Sequence, residues 1–260
     1  MTDLRVGFLG DGHINGALRR VVQETRPYQV IGSFGRDDAM PDRTGVDVVV
    51  EAATQQAVRE RVPALLDVGV DVILLSIGAL ADPALRAAVQ ERRPDRGRVI
   101  ACTGAIGGLD QVRALRAAGA LRAVSIESRK LPGSLIQPWM TMEQKAALHA
   151  GDAEIVLAEG PAGDVATRFP ASANVAAALA LAAGAWDIAS ARIVADPAAV
   201  QTRHEIRAVG AIGEVRAVVT NEPSPARPRS SAVVAWAALR ALDDYARIRG
   251  FDAPDGVPFL

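Results

Sequence analysis

An α/β fold, built on a parallel sheet and joined to a second α+β domain, is predicted by three features of the chain. The apolar run at 6–9 passes directly into Gly10-Asp11-Gly12-His13-Ile14-Asn15-Gly16 and then into a helical pattern. Short apolar runs alternate with helical stretches of roughly 10 to 15 residues over the first hundred positions, as parallel strands with crossover helices require. After about residue 120 the pattern changes to alternating strands, an alanine-rich helix and a Pro-rich loop. The simplest assembly is a Rossmann-type nucleotide domain (1–110 and 230–260), an inserted α+β domain for substrate and oligomerisation (111–229), and a C-terminal helix returning to the first domain.

The elements follow in order. Residues 6–9 read as a first strand and 17–24 as a first helix, with strands at 28–34 and 46–50 after it. A helix at 56–68 precedes a strand at 70–76. The next helix, 82–92, is entered through Asp82-Pro83, a good cap followed by a residue that fits the first helical position. A strand at 98–103 closes the series. In the second half, 121–129 and 154–159 read as strands around a polar Pro/Gly segment (130–151), and 174–189 as a long helix. The runs 191–195 and 205–219 fit a more antiparallel sheet. A loop with three prolines (221–229) precedes the last helix, 231–249, and 252–260 reads as a loose end.

Composition narrows the function classes. The chain has 260 residues, half of them hydrophobic, and a formal net charge of −1. That suits one or two domains with a substantial core. It leaves no electrostatic footprint for nucleic acid or an anionic membrane. No apolar run reaches the roughly 18 residues of a membrane span. The first residues do not read as a signal peptide, and a cytoplasmic protein is expected. The single cysteine, Cys102, excludes an internal disulfide. No His/Cys cluster suggests a metal, and no nucleophile elbow suggests a serine hydrolase.

The glycine loop carries the clearest chemistry. Gly10 permits the sharp turn out of the strand, and Gly12, without a Cβ, allows the backbone to approach a pyrophosphate. The following helix offers free N–H groups to the phosphates. His13 and Ile14 lie in the same turn. Asn15 stands where a third glycine is usual. The second strand ends Ser33-Phe34-Gly35-Arg36, so Gly35 replaces the acid that commonly bonds the adenosine ribose. Arg36 is placed to pair with a 2′-phosphate, which favours NADP, or use of both cofactors, over NAD alone. Ala53, Ser76 and Ala105 lie in small-residue stretches just beyond strand ends, the edge where ligands bind in open parallel sheets.

Only three histidines are available for acid/base work. His13 sits in the glycine loop and His149 in a polar helical stretch. His204 is expected at a loop-to-strand junction of the inserted domain, and its near-neutral pKa suits proton transfer. Lys130, Arg129, Arg203 and Arg227 are candidates to bind a dicarboxylate, although solvated arginines are the default.

The sequence resembles the aspartate dehydrogenase family over most of its length. The resemblance is carried by Gly10-x-Gly12-x-Ile14, Val50-Glu51-Ala52-Ala53, Ser76-Ile77-Gly78-Ala79-Leu80-Ala81-Asp82 and Gly104-Ala105-Ile106-Gly107-Gly108-Leu109-Asp110. It continues through Glu159-Gly160-Pro161-Ala162, Phe169-Pro170, Asn174-Val175-Ala176-Ala177 and Val194-Ala195-Asp196-Pro197 leading to His204-Glu205-Ile206. It ends with Asn221-Glu222-Pro223-Ser224-Pro225 and Arg227-Pro228-Arg229-Ser230. The resemblance implies oxidation of L-aspartate through iminoaspartate to oxaloacetate and ammonia with NAD or NADP. It implies that His204 is the acid/base residue, and that the backbone at Ala105 and the side chain of Asn174 lie against the cofactor. The family's Ser/Thr-Arg-Lys-Pro-Pro element appears as Ser128-Arg129-Lys130-Leu131-Pro132, placing Lys130 near the substrate with Asn174 and His204. A homodimer is the expected assembly. Two other readings stay open: a related reductase acting on another amino acid or imine, and a nucleotide-binding sensor without catalysis.

Overall fold

The computed structural model describes residues 3–91, 93–119, 121–225 and 227–258. The chain divides into two compact units, residues 1–104 with 234–260, and residues 105–233. The sequence reading put these joints at 110/111 and 229/230, a few residues from where the chain contacts divide.

The first unit is a five-stranded sheet of order β2-β1-β3-β4-β5, parallel throughout. Its strands are β1 (Arg5–Leu9), β2 (Gln29–Phe34), β3 (Val48–Glu51), β4 (Asp71–Leu74) and β5 (Val99–Ala101). Helices α1 (His13–Thr25), α2 (Gln55–Asp67) and α3 (Pro83–Gln90) connect them. Strands β3 and β4 are buried at every position, which is why they read as unbroken apolar runs rather than alternating ones. Thr54 caps α2 by accepting from Ala57 N–H, and Asp82 caps α3 by accepting from Ala84 and Leu85 N–H.

Two polar pairs fasten the C-terminal helix of this unit to its sheet. The Tyr245 hydroxyl donates to Asp71 (2.8 Å), and the Tyr28 hydroxyl donates to Asp243 (2.7 Å), which also receives the Arg26 guanidinium. Its apolar face joins Leu4, Val6, Phe8, Leu18 and Val22 in one core.

The second unit is a mixed sheet of order β10-β9-β6-β8-β7. Following α4 (Leu109–Ala117) come β6 (Ala123–Lys130), α5 (Met142–Ala150), β7 (Ile155–Pro161), α6 (Ala162–Arg168), α7 (Asn174–Ala183) and β8 (Ala189–Ala195). Strands β9 (Thr202–Val209) and β10 (Glu214–Asn221) form a hairpin, and a short ribbon pairs β11 (Pro223–Ser224) with β12 (Arg227–Ser231). The last helix, α8 (Val234–Arg249), belongs to the first unit. Helices α6 and α7 pack on one face of the sheet, and α4 packs on α7.

Several elements differ from the sequence reading for local reasons. Helix α7 stops at Ala183 because Gly184 takes a left-handed conformation (φ +59°), freeing Ala189 to enter β8. The polar segment after β6 holds α5, set by a capping box in which Thr141 and Gln144 bond each other's backbone N–H. Helices α4 and α6 lie where the sequence reading assigned no element. The expected limit of the third helix at Arg92 and the final residues of the expected loose end, 259–260, lie outside the described residues.

Candidate active site

In the first unit the chain passes from β1 outward to β2 on one side, then crosses back over β1 to β3 on the other. The strand order therefore reverses between β1 and β3, the place where open α/β sheets bind ligands. Gly10 and Gly12 lie at the carboxyl end of β1, and Glu51 and Ala53 at that of β3.

Gly10 has φ +92°, and a Cβ there would stand 2.7 Å from the Cβ of Ala53. Glycine is required on both counts. Gly12 is different. A Cβ on it would meet only Ala52 O, at an ordinary 3.8 Å. It is the N-cap of α1 and offers that helix no side-chain cap, so the space above it is open and the first turn of the helix presents N–H groups to whatever enters. Asn15, in place of the third glycine, is buried and donates from Nδ2 to Leu9 O and Gly10 O, both at 2.8 Å. It fastens the loop to the end of β1 instead of distorting it. The cradle thus fits a dinucleotide pyrophosphate. Gly12→Val is expected to leave the fold intact and weaken cofactor binding in a fluorescence titration. Gly10→Ala, by contrast, should lower the melting temperature through left-handed strain and the Ala53 contact.

His13 is the first residue of α1 and is half-buried, as is Ile14. Ser76 is buried, and its hydroxyl donates to Glu51 Oε1 at 2.8 Å. Glu51 is fully buried and also accepts from Ala53 N–H (2.8 Å), Ser76 N–H (2.9 Å) and Leu75 N–H (3.3 Å). Burial raises its pKa while these donors oppose the rise. One carboxyl group thereby holds together the ends of β3 and β4, and the Ser76 side chain is engaged in that task rather than turned outward. The sequence marked Glu51 only as part of a motif.

At the end of β2, Arg36 is exposed. Arg61 donates to Arg36 O (2.9 Å) and to Asp38 O, tying this loop down. The Asp38 carboxylate accepts from Gly35 N–H at 2.7 Å and lies 3.3 Å from where a Gly35 Cβ would stand. A carboxylate therefore occupies the corner from which the strand-end acid is missing. It comes from three residues further on, and spacing alone could not reveal it.

The second unit brings together a buried polar group on the covered face of its sheet. His204, expected at a strand junction, lies inside β9 and directly opposite Ser128 of β6. Ser128 Oγ and His204 Nδ1 are 2.8 Å apart, and both residues are buried. Lys130, two positions along β6, shares that face by strand alternation and is also buried. Among the described residues no ion pair links Lys130 to a carboxylate. Burial lowers its pKa from 10.5 to about 8. Burial, and then the neighbouring Lys130 charge, push His204 down to about 3, so the imidazole is neutral across the ordinary pH range.

Arg129 and Arg203 point the other way. Arg129 pairs with Glu127, Glu154 and Asp196, and Arg203 with Glu205. Arg227 is exposed on β12, so of these four cations Lys130 alone joins His204 on the covered face. Asn174 opens α7, the helix that packs over β6 and β8 on that face. The Ala105 carbonyl accepts from Asn221 Nδ2 at 2.8 Å, which anchors the glycine-rich segment before α4. The period-2 spacing of Ser128 to Lys130 is the sequence signal that puts it on the covered face. Among the described residues no group of three or more His, Cys, Asp or Glu is arranged to hold a metal ion, and no helix is long and apolar enough to cross a membrane.

Comparison with known proteins finds two family matches along the chain. Residues 3–102 match the family described as the NAD-binding domain of homoserine dehydrogenase, and residues 110–245 match the C-terminal domain of aspartate dehydrogenase. An L-aspartate dehydrogenase of Methanosarcina mazei is 36% identical over 260 residues, covering 92% of this chain and 96% of that protein. L-aspartate dehydrogenase 2 of Bordetella pertussis is 40% identical over 256 residues, covering 93% and 91%. The crystal structure of aspartate dehydrogenase from Thermotoga maritima superposes with a TM-score of 0.72 at 23% identity, covering 98% of this chain and all of that one, and shares its fold. The protein is thus an NAD(P)-dependent oxidoreductase. Within that class, the chain belongs to the aspartate dehydrogenase family.

Proposed function

We propose that the protein oxidises L-aspartate through iminoaspartate to oxaloacetate and ammonia, and runs the reverse amination. The observation that carries this reading is the buried pair of a neutral imidazole and a lysine that has, among the described residues, no carboxylate partner, on one face of the second sheet. A buried ammonium needs an anion, and a dicarboxylic amino acid supplies one. Lys130 binds a substrate carboxylate and, with Asn174, orients the carbon that loses hydride.

The nicotinamide cofactor, when bound, supplies the hydride acceptor. Gly10, Gly12, His13, Ile14, Ala53 and Ser76 of the first unit, with Asn174 and the backbone at Ala105, are the residues we assign to holding it. His204 then serves the hydrolytic half of the reaction. Water adds to the iminium carbon, the C=N electron pair moves to nitrogen, and one water proton passes to the imidazole. Returning that proton to the amine lets ammonia leave; the hydroxyl oxygen's lone pair forms the carbonyl and its proton passes back to the imidazole. Substrate binding aids the base, because a carboxylate on Lys130 offsets the charge that depresses His204.

For the cofactor, Arg36 favours a 2′-phosphate and Asp38 opposes it, so we read NADP and NAD as both usable, with NADP preferred through Arg36. Arg36→Ala is expected to raise the KM for NADP far more than for NAD, and Asp38→Ala to shift the ratio the other way. An unchanged NADP-to-NAD ratio in both variants would remove these residues from cofactor choice. We place the enzyme in the cytoplasm as a homodimer. The open face of the second sheet offers two ion-pair clusters to a second copy, Arg129 and Arg192 around Glu127, and Arg203 and Arg216 around Glu205. A steady-state assay with L-aspartate and each cofactor tests the reading as a whole.

A further inference from the structure

We propose that Ser128 is a positioning residue that accepts a hydrogen bond from His204 Nδ1–H and so makes Nε2 the nitrogen that exchanges the proton. The inference rests on the reading of His204 as the acid/base group. The two residues face each other across the β6–β9 ladder, with Ile126 opposite Ile206 one step away on the same face, so strand register fixes the approach of the ring. Ser128 Oγ is 2.8 Å from Nδ1. A neutral imidazole carries one N–H. If Nε2 carried it, Nδ1 would accept from the Ser128 hydroxyl, and Nε2 could not take a proton from water. If Nδ1 carries it and donates to Ser128, the Nε2 lone pair is available. When Nε2 gains its proton, the Nδ1–H bond to Ser128 stays as it was, so the same contact serves both protonation states without rearrangement.

The choice of a hydroxyl has a second consequence. A carboxylate at this position would hold the ring equally well, as it does in many acid/base pairs. Here it would also share a face with Lys130 and neutralise the ammonium that the substrate carboxylate must reach. A neutral acceptor orients the histidine and leaves the lysine available.

The chain has three histidines, so nitrogen-15 spectra of histidine-labelled full-length protein separate them, with the His204 signals assigned by their loss in His204→Ala. The expected result is a neutral His204 protonated at Nδ1 between about pH 5 and 9, the window in which its buried ring stays uncharged. Ser128→Ala is expected to move the proton toward Nε2 and to lower kcat by roughly 10- to 100-fold, a part of what acid/base assistance supplies, with KM little changed. Ser128→Thr, which keeps the hydroxyl, should restore both. Ser128→Asp should instead raise the KM for the dicarboxylate. A parent protein whose His204 carries its proton on Nε2 overturns the proposal. So does a Ser128→Ala variant with parental turnover alongside an inactive His204→Ala. Parental turnover in His204→Ala would instead overturn the acid/base reading on which the proposal stands.

Discussion

Replacing His204 with alanine is expected to cut turnover by roughly 10²-fold or more, the scale of lost acid/base help, while the protein still binds dinucleotide. The pyrophosphate cradle consists of backbone at Gly10, Gly12 and α1, in a unit with its own core, so removing an imidazole from the second unit leaves that part of the cofactor's binding as it is. The measurement is kcat beside a cofactor titration on the same preparation. Near-parental turnover would mean that another group handles the proton. The pH dependence has a defined sign. His204 is depressed from 6.5 to about 3 by burial and by Lys130, so the folded form holds it neutral where the unfolded chain would protonate it. Its contribution to stability is present above the unfolded value of 6.5 and is lost as pH falls toward 3. His204→Ala should flatten that acid limb.

The second large effect is a trade between stability and function. Lys130 is buried with its pKa lowered from 10.5 to about 8 by desolvation alone. In the absence of substrate, its charge opposes folding. Replacing it with methionine, similar in length and apolar, is expected to stabilise the free protein. A depression of this size corresponds to on the order of 3 kcal/mol. The cost is fully present below pH 8 and is relieved as pH rises to 10.5, because in that window the unfolded chain binds the extra proton. Thermal melts of Lys130→Met should therefore exceed the parent most clearly near neutral pH and converge with it in alkali. The same variant should lose affinity for a dicarboxylate by a large factor. In the parent, kcat/KM should fall as pH rises through about 8, when the free enzyme loses the ammonium. A variant that melts below the parent and binds substrate normally would show that Lys130 is structural.

The parallel half of the fold was legible because its central strands are buried on both faces and its helices carry capping signals such as Asp82-Pro83. Boundaries were less so. The first helix begins at His13, within the glycine loop, since Gly12 is itself the cap. That moves His13 and Ile14 from a loop onto the first turn. The second half was harder to read because its helices α4 and α6 are short and its sheet mixes parallel and antiparallel neighbours. His204 could be picked out by scarcity, yet its place inside β9 depended on Thr202 starting the strand, which alternation alone did not mark. The Ser128 contact arises from pairing between strands 76 residues apart in sequence. The Asp38 carboxylate reaches Gly35 N–H through a turn. Neither long-range register nor a loop that folds back is written in local periodicity.

The identity of the reaction is open to a direct test. Purified protein should be incubated with L-aspartate and, separately, NAD and NADP, following the absorbance of the reduced nicotinamide and measuring ammonia and oxaloacetate in the same mixture. The expected result is aspartate-dependent reduction of at least one cofactor, with ammonia and oxaloacetate each formed in equal amount to the reduced nucleotide. No reduction with aspartate under either cofactor, while another amino acid or imine supports turnover, would contradict it.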